Sequence, residues 1–230
     1  MLETVLNIIV PHYCQICGKL GEILCVDCKN HIISDHNNYC LKCGVVIIDH
    51  CSICRLPYQK SWMIGHRDHD EQSLVDKYKF FSMRALAKPL AETLSQAMPV
   101  LPENTIIVPV PTVSNHIRER GFDHTVLLAR HLAKLKRCEY KRILIRKSKS
   151  VQLGSSKQKR LSQAKEAFSC TQSLPKNKNY LILDDVYTTG ATINAATRLL
   201  KQNGAQKIWV AVLARQRDQK IPTKKQPSKN

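Results

Sequence analysis

The 230-residue chain lacks several features that would assign it to a class at once. No stretch approaches the roughly 20 consecutive apolar residues that a membrane-spanning helix needs, and the opening segment carries an acid, Glu3, where a secretory leader would carry a base. Aromatic residues make up only 6%, which is few for a protein that stacks the bases of single strands. We expect a cytoplasmic protein with no membrane span, long enough for one ordinary domain of about 150 residues and a small appendage.

Acidic residues are also scarce, because 18 Asp and Glu face 36 Lys and Arg, a net charge of +18. The excess is uneven: residues 1–70 carry six bases and seven acids, whereas the segment after Ala214 carries six bases and one acid. This last segment has few apolar residues and cannot offset the entropy cost of folding. We expect residues 215–230 to form a basic disordered tail, which either keeps the protein soluble or contacts a phosphate backbone.

Cysteine is almost absent after residue 54, where only Cys138 and Cys170 occur, but it is dense before that point. Two copies of the unit Cys-x2-Cys-x7-Cys-x2-Cys stand 26 residues apart. The eight cysteines are Cys14, Cys17, Cys25, Cys28, Cys40, Cys43, Cys51 and Cys54. A Cys-x-x-Cys turn presents two thiolates to one ion, and tetrahedral zinc takes two such turns. We therefore predict two zinc sites, with Gly18 and Gly44 at the position where such a turn often needs a positive φ.

A disulfide framework is the alternative use of these cysteines, but a chain without an export signal would not maintain it in reducing cytosol. Spacing leaves open whether each unit closes its own site or the pairs interleave, and the short link within a unit favours the sequential arrangement. Four thiolates leave no ligand position for a reactive water, so the sites are structural. We expect residues 1–60 to form a small zinc domain.

Beyond Lys60 the pattern changes to alternating strands and helices. Apolar residues at helical spacing from Leu74 to Met98 predict an amphipathic helix that ends before Pro99. Short β-branched runs predict strands at residues 105–110, 142–145, 180–184 and 207–213, with helices at residues 122–136 and 192–203 between them. This alternation predicts an α/β domain with an open parallel sheet over residues 61–214.

The segment from Tyr180 to Thr192 reads YLILDDVYTTGAT, which is a strand, an acidic pair, a loop of hydroxyl residues and a helix start. Backbone N–H groups at a helix start have no intrahelical partner, and the helix dipole favours an anion there. The loop would thus cradle a phosphate, while Asp184 and Asp185 suit two neighbouring hydroxyls of a sugar. A ribose 5-phosphate meets both requirements. In the purely structural alternative, the acidic pair ends a strand and Thr192 caps a helix.

This segment resembles the phosphoribosyl-pyrophosphate motif of type I phosphoribosyltransferases. Together with the Cys-rich start, the chain resembles the ComF family, which is linked to DNA uptake in competent bacteria. Further matches are Val10-Pro11-His12-Tyr13-Cys14, Tyr78-Lys79-Phe80, Val108-Pro109-Val110-Pro111, Arg120-Gly121-Phe122, and Gln152 with Arg160. Two departures from the family pattern are visible: Asp123-His124 replaces the usual Asn-Gln, and Gln163 replaces the usual Asn.

The resemblance implies a double zinc ribbon followed by a type I phosphoribosyltransferase-like domain that takes phosphoribosyl pyrophosphate with Mg²⁺, the metal being held largely by the ligand's own oxygens. It implies that Asp184 and Asp185 are the catalytic pair at the ribose hydroxyls. The 5-phosphate would be held by Tyr187, Thr188, Thr189, Gly190, Ala191 and Thr192. The pyrophosphate would face Val110, Pro111, Lys79, Arg118 and Arg120. The basic segment 146–160, which contains Lys147, Lys149, Lys157, Lys159 and Arg160, is a candidate closing loop.

Two functions are compatible with these residues. As an enzyme, the chain would transfer ribose 5-phosphate to an unidentified acceptor and release pyrophosphate, although no sequence pattern identifies an acceptor pocket. As a binding protein in DNA uptake, it would bind phosphoribosyl pyrophosphate or a nucleotide, with single-stranded DNA and a DNA-uptake helicase as partners, the helicase docking on the zinc domain. Base stacking would then fall to Trp62, Tyr78, Phe80, Phe81 and Phe122.

Overall fold

Apolar β-branched runs form the centre of the molecule. The computed structural model describes residues 12–33, 36–66, 69–81, 83–147 and 168–216. The strands are β1 (Lys60–His66), β2 (Thr105–Pro109), β3 (Glu139–Tyr140), β4 (Leu144–Arg146), β5 (Phe168–Cys170), β6 (Asn179–Tyr187) and β7 (Lys207–Arg215). The helices are α1 (Val26–Ile32), α2 (His69–Lys79), α3 (Ala87–Gln96), α4 (Ser114–Arg120), α5 (His124–Lys136) and α6 (Ala191–Gln202), and a 3₁₀ turn at Arg84–Leu86 precedes α3. Within these ranges, every helix is too short or too polar to cross a lipid bilayer.

The main sheet has five strands in the order β1-β7-β6-β2-β3, and all neighbours are parallel. Its residues alternate between two apolar layers. Leu181 and Leu183 pack with α2, α3 and α5 on one face, whereas Tyr180 and Ile182 pack with α6 on the other. Since both faces are covered by helices, the central strands are apolar throughout. The predicted α/β fold with a parallel sheet is confirmed.

Two of the predicted secondary-structure elements are corrected by the structure. The apolar stripe from Leu74 to Met98 belongs to two helices, α2 and α3, and not to one. Tyr78 and Leu86 are eight residues apart, which is close to two helical turns. The apolar residues of the two helices therefore follow the spacing of one continuous helix in the sequence, although α2 ends at Lys79. The strand predicted at residues 142–145 is β4, which pairs antiparallel with β5 in a separate two-stranded sheet.

The Cys-rich segment packs directly on the sheet domain. Cys14, Cys25 and Cys28 belong to the same buried cluster as Leu183 and Leu213. Leu41 and Tyr58 join the apolar cluster of the opposite face. Strand β1, which the sequence analysis did not predict, is the edge of the main sheet next to β7. The domain boundary at residues 60 and 61 stays a prediction, and the two sides share a continuous core.

The predicted tail begins too early, because Arg215 and Gln216 both bond to the folded part of the chain. Arg215 is the last residue of β7 and only 5% of it is exposed, because its side chain packs against the Cys-rich segment. The remainder of the predicted tail from residue 217 onward lies outside the described residues.

Candidate functional site

A cavity of about 410 Å³ lies at the carboxyl ends of β2 and β6. The chain leaves these neighbouring strands in opposite directions, toward β3 from β2 and toward β7 from β6. Crevices of this kind are where open α/β sheets bind ligands. The predicted site residues that line the cavity are Lys79, Val110, Pro111, Arg120, Asp184, Asp185, Thr188 and Thr192.

The acidic pair lies at the wall of this cavity and is buried. Asp184 Oδ1 accepts a hydrogen bond from Asp185 N at 2.9 Å, and Asp185 Oδ1 accepts one from Val186 N at 2.6 Å. Burial raises the pKa of Asp184 to about 8, and the neighbouring charge of Asp185 adds to the rise. Burial would raise the pKa of Asp185 too, but contacts with His124 and Lys79 hold it well below its usual range. At neutral pH the pair therefore contains one carboxylic acid and one carboxylate.

His124 is a functional residue to which the sequence analysis gave no role in the site. Its Nε2 lies 2.6 Å from Asp185 Oδ2, and its Nδ1 lies 3.1 Å from Arg120 Nη1. Since a guanidinium has only donors, Nδ1 accepts from Arg120, and Nε2 carries the proton that is donated to Asp185. The Tyr78 hydroxyl donates to the His124 carbonyl at 2.6 Å. The only sequence signal was the departure of Asp123-His124 from the family pattern.

The other residue of that departure, Asp123, has a local role. It is the N-cap of α5 and accepts a hydrogen bond from Val126 N at 3.3 Å. Its Oδ1 also accepts from Thr125 Oγ1 at 2.9 Å and from Thr112 Oγ1 at 3.0 Å. Asp123 thus joins the start of α5 to the loop after β2, which faces the cavity.

The predicted phosphate loop begins where β6 ends. Gly190 has φ +74° and precedes α6 as its N-cap, without a side-chain cap. The first-turn amides of α6 therefore lack intrahelical partners beside Thr188 and Thr192, which line the cavity. Tyr187 lies beneath the loop instead of in the cavity, and a Cβ at position 190 would overlap the Tyr187 hydroxyl. The absence of a side chain at Gly190 lets the loop close over Tyr187.

Tyr187 also lies close to the second Cys unit. Its register partner in β7 is Arg215, whose guanidinium donates to the carbonyls of Leu41 and Lys42 in that unit. Tyr187 is therefore placed between the phosphate loop and the Cys-rich segment.

Cationic side chains enter the cavity from the ends of different elements. Lys79 ends α2 and contacts Asp185 Oδ2 at 2.7 Å, Arg120 ends α4, and Arg146 ends β4. Arg146 is the first residue of the predicted basic segment 146–160, and the cavity also includes Thr112 and His116, which the sequence analysis did not assign. Arg118 does not line the cavity and is exposed, because two residues along a helix point to different sides. Lys147 does not line it either, and the other candidates of the basic segment, Lys149, Lys157, Lys159 and Arg160, lie outside the described residues, as do Gln152 and Gln163.

Of the five candidate stacking aromatics, two are open to solvent. Phe80 is 60% exposed and lines the cavity, and the adjacent Phe81 is 75% exposed. Trp62 and Tyr78 are buried, and Phe122 packs on Tyr78 with ring centroids 5.9 Å apart. Phe80 has Lys79 Nζ at 5.7 Å and the Arg120 guanidinium at 5.6 Å from its ring centroid.

The cysteines form two groups, and each group is one sequence unit. The ligand atoms of Cys14, Cys17, Cys25 and Cys28 lie within 4.8 Å of one another, as do those of Cys40, Cys43, Cys51 and Cys54. This confirms the sequential arrangement over the interleaved one. The Sγ atoms of Cys17 and Cys25 are 3.8 Å apart, and those of Cys43 and Cys51 are 3.7 Å apart. A tetrahedron with metal–sulfur bonds of about 2.3 Å has edges of about 3.8 Å, so each group could hold one metal ion. Gly18 and Gly44 have the predicted positive φ, +74° and +78°.

Comparisons with known proteins find the following similarities. A phosphoribosyl transferase domain model matches residues 117–229. Competence protein F of Haemophilus influenzae is 30% identical over 213 residues, which cover 84% of this chain and 90% of that protein. Competence protein ComFC of Streptococcus pneumoniae is 25% identical over 198 residues, covering 84% and 87%. Glutamine phosphoribosylpyrophosphate amidotransferase of B. subtilis aligns with a TM-score of 0.45 and 17% identity, over 60% of this chain and 30% of that one.

Proposed function

Since the chain belongs to the competence protein F (ComF) family, we propose that it acts in DNA uptake as a cytoplasmic protein that binds phosphoribosyl pyrophosphate with Mg²⁺ in the cavity between β2 and β6. The observation that carries the proposal is the acidic pair beside a phosphate loop in one cavity with three cations. Asp184 and Asp185 would hold the ribose hydroxyls, and the amides of residues 188–192 the 5-phosphate. Lys79, Arg120 and Arg146 would face the pyrophosphate, next to Val110 and Pro111.

The charge of the cavity supports a polyanionic ligand. Asp185 is the ionised acid of the pair, and it is already contacted by Lys79 and His124. Arg120 and Arg146 lack a salt bridge to an acid among the described residues, so their charges are available to a ligand. A diphosphate would supply the missing negative charge. Mg²⁺, a hard cation, would be held mainly by the oxygens of the diphosphate.

A thermal shift assay tests this proposal. Phosphoribosyl pyrophosphate with Mg²⁺ at about 100 times its Kd stabilises by about 2.7 kcal/mol, which corresponds to about 5–10 °C in Tm for a chain of this size. The variant Asp184→Asn/Asp185→Asn should lose the ligand-dependent rise, because the amides replace both hydroxyl-binding carboxyl groups. An unchanged Tm of the wild type in the presence of ligand would contradict the proposal.

A matched pair of variants on one helix sharpens the test. Arg120→Gln should weaken the ligand-dependent rise, because Arg120 lines the cavity. Arg118→Gln removes the same charge from an exposed position away from the cavity and should retain the rise. Equal losses in both variants would indicate a general effect of net charge and would argue against a defined pyrophosphate site.

An active phosphoribosyltransferase is the second candidate, and Phe80 favours it. This ring is 60% exposed in the cavity, where it could face an aromatic acceptor. Departure of pyrophosphate would leave positive charge on the sugar ring, which the Asp185 carboxylate would stabilise. A pyrophosphate-release assay over a panel of bases and amines tests turnover. Release with one acceptor establishes the enzyme, and its absence with every acceptor, despite tight ligand binding, establishes the binding protein.

Single-stranded DNA and a DNA-uptake helicase are the partners that we propose. Phe80 and Phe81 are exposed beside Lys79 and Arg120, a combination that suits stacked bases with a charged backbone. Ile48 and Ile53 of the second Cys unit are 88% and 76% exposed, which suits docking of a protein there. Binding of single strands should weaken steeply with salt, since backbone contacts release counterions.

A further inference from the structure

The two Cys units have similar backbones but are attached to different parts of the sheet domain. In the first unit, the Gln15 carbonyl accepts a hydrogen bond from Lys77 Nζ of α2 at 3.0 Å. In the second unit, the Leu41 carbonyl accepts from Arg215 Nε at 2.6 Å, and the Lys42 carbonyl accepts from Arg215 Nη2 at 2.7 Å. The second unit is thus attached to the end of β7.

Arg215 is built into this contact. It is only 5% exposed, and a Cβ at Gly44 would lie 3.0 Å from its Nη1. The guanidinium therefore lies directly over residues 40–44, which we call the second knuckle. Four thiolates around a divalent ion would carry a net charge of −2, which a buried cation beside them would stabilise. At Gly18, the equivalent position in the first unit, a Cβ would meet no atom within 4 Å.

The same residue lies beside the base of the phosphate loop. Arg215 is the register partner of Tyr187 in the parallel pair of β6 and β7. One residue further, Gln216 N donates to the Tyr187 carbonyl at 2.8 Å. Tyr187 in turn fills the space beneath Gly190, where a Cβ would overlap its hydroxyl. A continuous series of contacts thus runs from the second knuckle through Arg215 and Tyr187 to the loop.

We propose that Arg215 is a positioning residue that ties the second knuckle to the phosphate loop, so that the order of the knuckle and the binding of a phosphate ligand are coupled. The coupling rests on the proposed function only for the identity of the ligand. Because coupling between two sites is reciprocal, ligand binding should also stabilise the second knuckle. The equivalent residues 14–18 of the first unit, which are attached to α2 through Lys77, should not respond.

Hydrogen exchange of the full-length, metal-loaded protein tests the inference at peptide resolution, first without any ligand. We compare Arg215→Met, Gly44→Ala and Gly18→Ala. Both alanine variants place a side chain at a similar positive φ, +78° and +74°, but only Gly44→Ala pushes against Arg215. Amides of residues 188–193 should exchange about tenfold faster in Arg215→Met and measurably faster in Gly44→Ala. They should keep the wild-type rate in Gly18→Ala.

The reciprocal experiment adds phosphoribosyl pyrophosphate with Mg²⁺. In the wild type, the ligand should slow exchange in residues 40–44 but not in residues 14–18, and Arg215→Met should remove this protection and weaken binding about tenfold. A role in stability alone would change exchange throughout the protein and would not couple the ligand to one knuckle.

The outcomes separate the two proposals. The inference would be overturned if residues 188–193 exchange at the wild-type rate in both Arg215→Met and Gly44→Ala. It would also be overturned if Gly44→Ala and Gly18→Ala change the exchange rate of these residues equally. If Arg215→Met does not fold, the two alanine variants decide it. If the wild type shows no ligand protection, phosphoribosyl pyrophosphate binding fails, and the ligand-free comparison still decides the role of Arg215.

Discussion

At the scale of single residues, the site depends on burial and contacts that shift the pKa values of two neighbouring acids in opposite directions. Asp184 lacks a cationic hydrogen-bond partner among the described side chains, and burial raises its pKa to about 8. Asp185 contacts both Lys79 and His124, which lower its pKa. The protonated acid can donate a hydrogen bond to a sugar hydroxyl, and the carboxylate can accept one from the next hydroxyl. The pair is therefore suited to a diol.

The raised pKa of Asp184 makes stability depend on pH. The unfolded chain ionises this acid near pH 4, whereas the folded protein does so near pH 8. The stabilising effect of the protonated acid is thus fully present below pH 4 and is lost as pH rises through 8. Asp184→Asn cannot ionise, so without ligand it should melt a few degrees above the wild type at pH 8, with the gap narrowing toward pH 5.

Asp185→Asn provides the contrast for this prediction. Removing a carboxylate that contacts Lys79 and His124 should lower Tm at neutral pH, since it leaves both partners with a weaker acceptor. The measurement is a thermal melt at several pH values. An Asp184→Asn variant that melts at or below the wild type at pH 8 would contradict the assignment of the protonated acid.

His124 should be replaceable by glutamine. The neutral imidazole donates to Asp185 and accepts from Arg120, and a glutamine amide offers the same pair of groups, NH₂ and C=O. His124→Gln should bind phosphoribosyl pyrophosphate with Mg²⁺ within about threefold of the wild type, whereas His124→Leu should bind about tenfold more weakly because a hydrogen bond to a charged group is lost. Calorimetric titration measures both, and equal affinities of the two variants would refute this positioning role.

At the scale of elements, the site is assembled from the ends of helices and strands. Lys79, Arg120 and Arg146 are each the last residue of an element, and His124 is the first residue of α5. In a parallel sheet the strands end and the following helices begin at the carboxyl edge, which brings the start of α5 with His124 to this edge. The short loops that follow β2 and β6 also line the cavity.

The phosphate loop allows a matched test of glycine. Gly190 and Gly121 have nearly equal φ, +74° and +75°, but only at Gly190 would a Cβ overlap another side chain, that of Tyr187. Alanine in this conformation costs about 1–2 kcal/mol at either position. Gly190→Ala should lower the free energy of unfolding by about 1–3 kcal/mol more, because the added methyl group overlaps Tyr187. The variant should also lose ligand binding. Urea denaturation measures the difference, and equal losses of stability would show that Tyr187 does not support the loop.

At the scale of the whole molecule, the Cys-rich segment and the sheet share their core. Buried residues of the first unit lie in the cluster that contains Leu183 and Leu213, and Arg215 joins the second unit to β7. A segment this short cannot bury a large core of its own, so we expect it to gain much of its folding free energy from bound metal. Loss of metal should therefore destabilise the sheet as well.

We expect two zinc ions per chain by elemental analysis, and we expect their removal by a strong chelator to lower Tm in a single transition. Trp62 and Trp209 contact each other in β1 and β7, with ring centroids 5.8 Å apart, so their fluorescence reports on the sheet. The control is chelator saturated with zinc beforehand. One zinc or none per chain would contradict the two sites, and an unchanged tryptophan signal after metal loss would contradict the shared core.

The sequence by itself determined the features that depend on local spacing. The Cys-x2-Cys repeat, the acidic pair before the TTGAT loop and the alternation of strands and helices all lie within short windows. In such windows the turn geometry and the side-chain period follow from the residues themselves. The parallel sheet and both Cys groups were predicted for that reason.

Only the tertiary structure decided which distant residues meet and what burial does to them. Asp185 and His124 are 61 positions apart, and Arg215 and Leu41 are 174 apart. No local pattern specifies such contacts. Three features follow from packing: the opposite pKa shifts of Asp184 and Asp185, the position of Arg120 but not Arg118 at the cavity, and the separate β4–β5 sheet. Desolvation and the direction of a side chain exist only once the elements are in place.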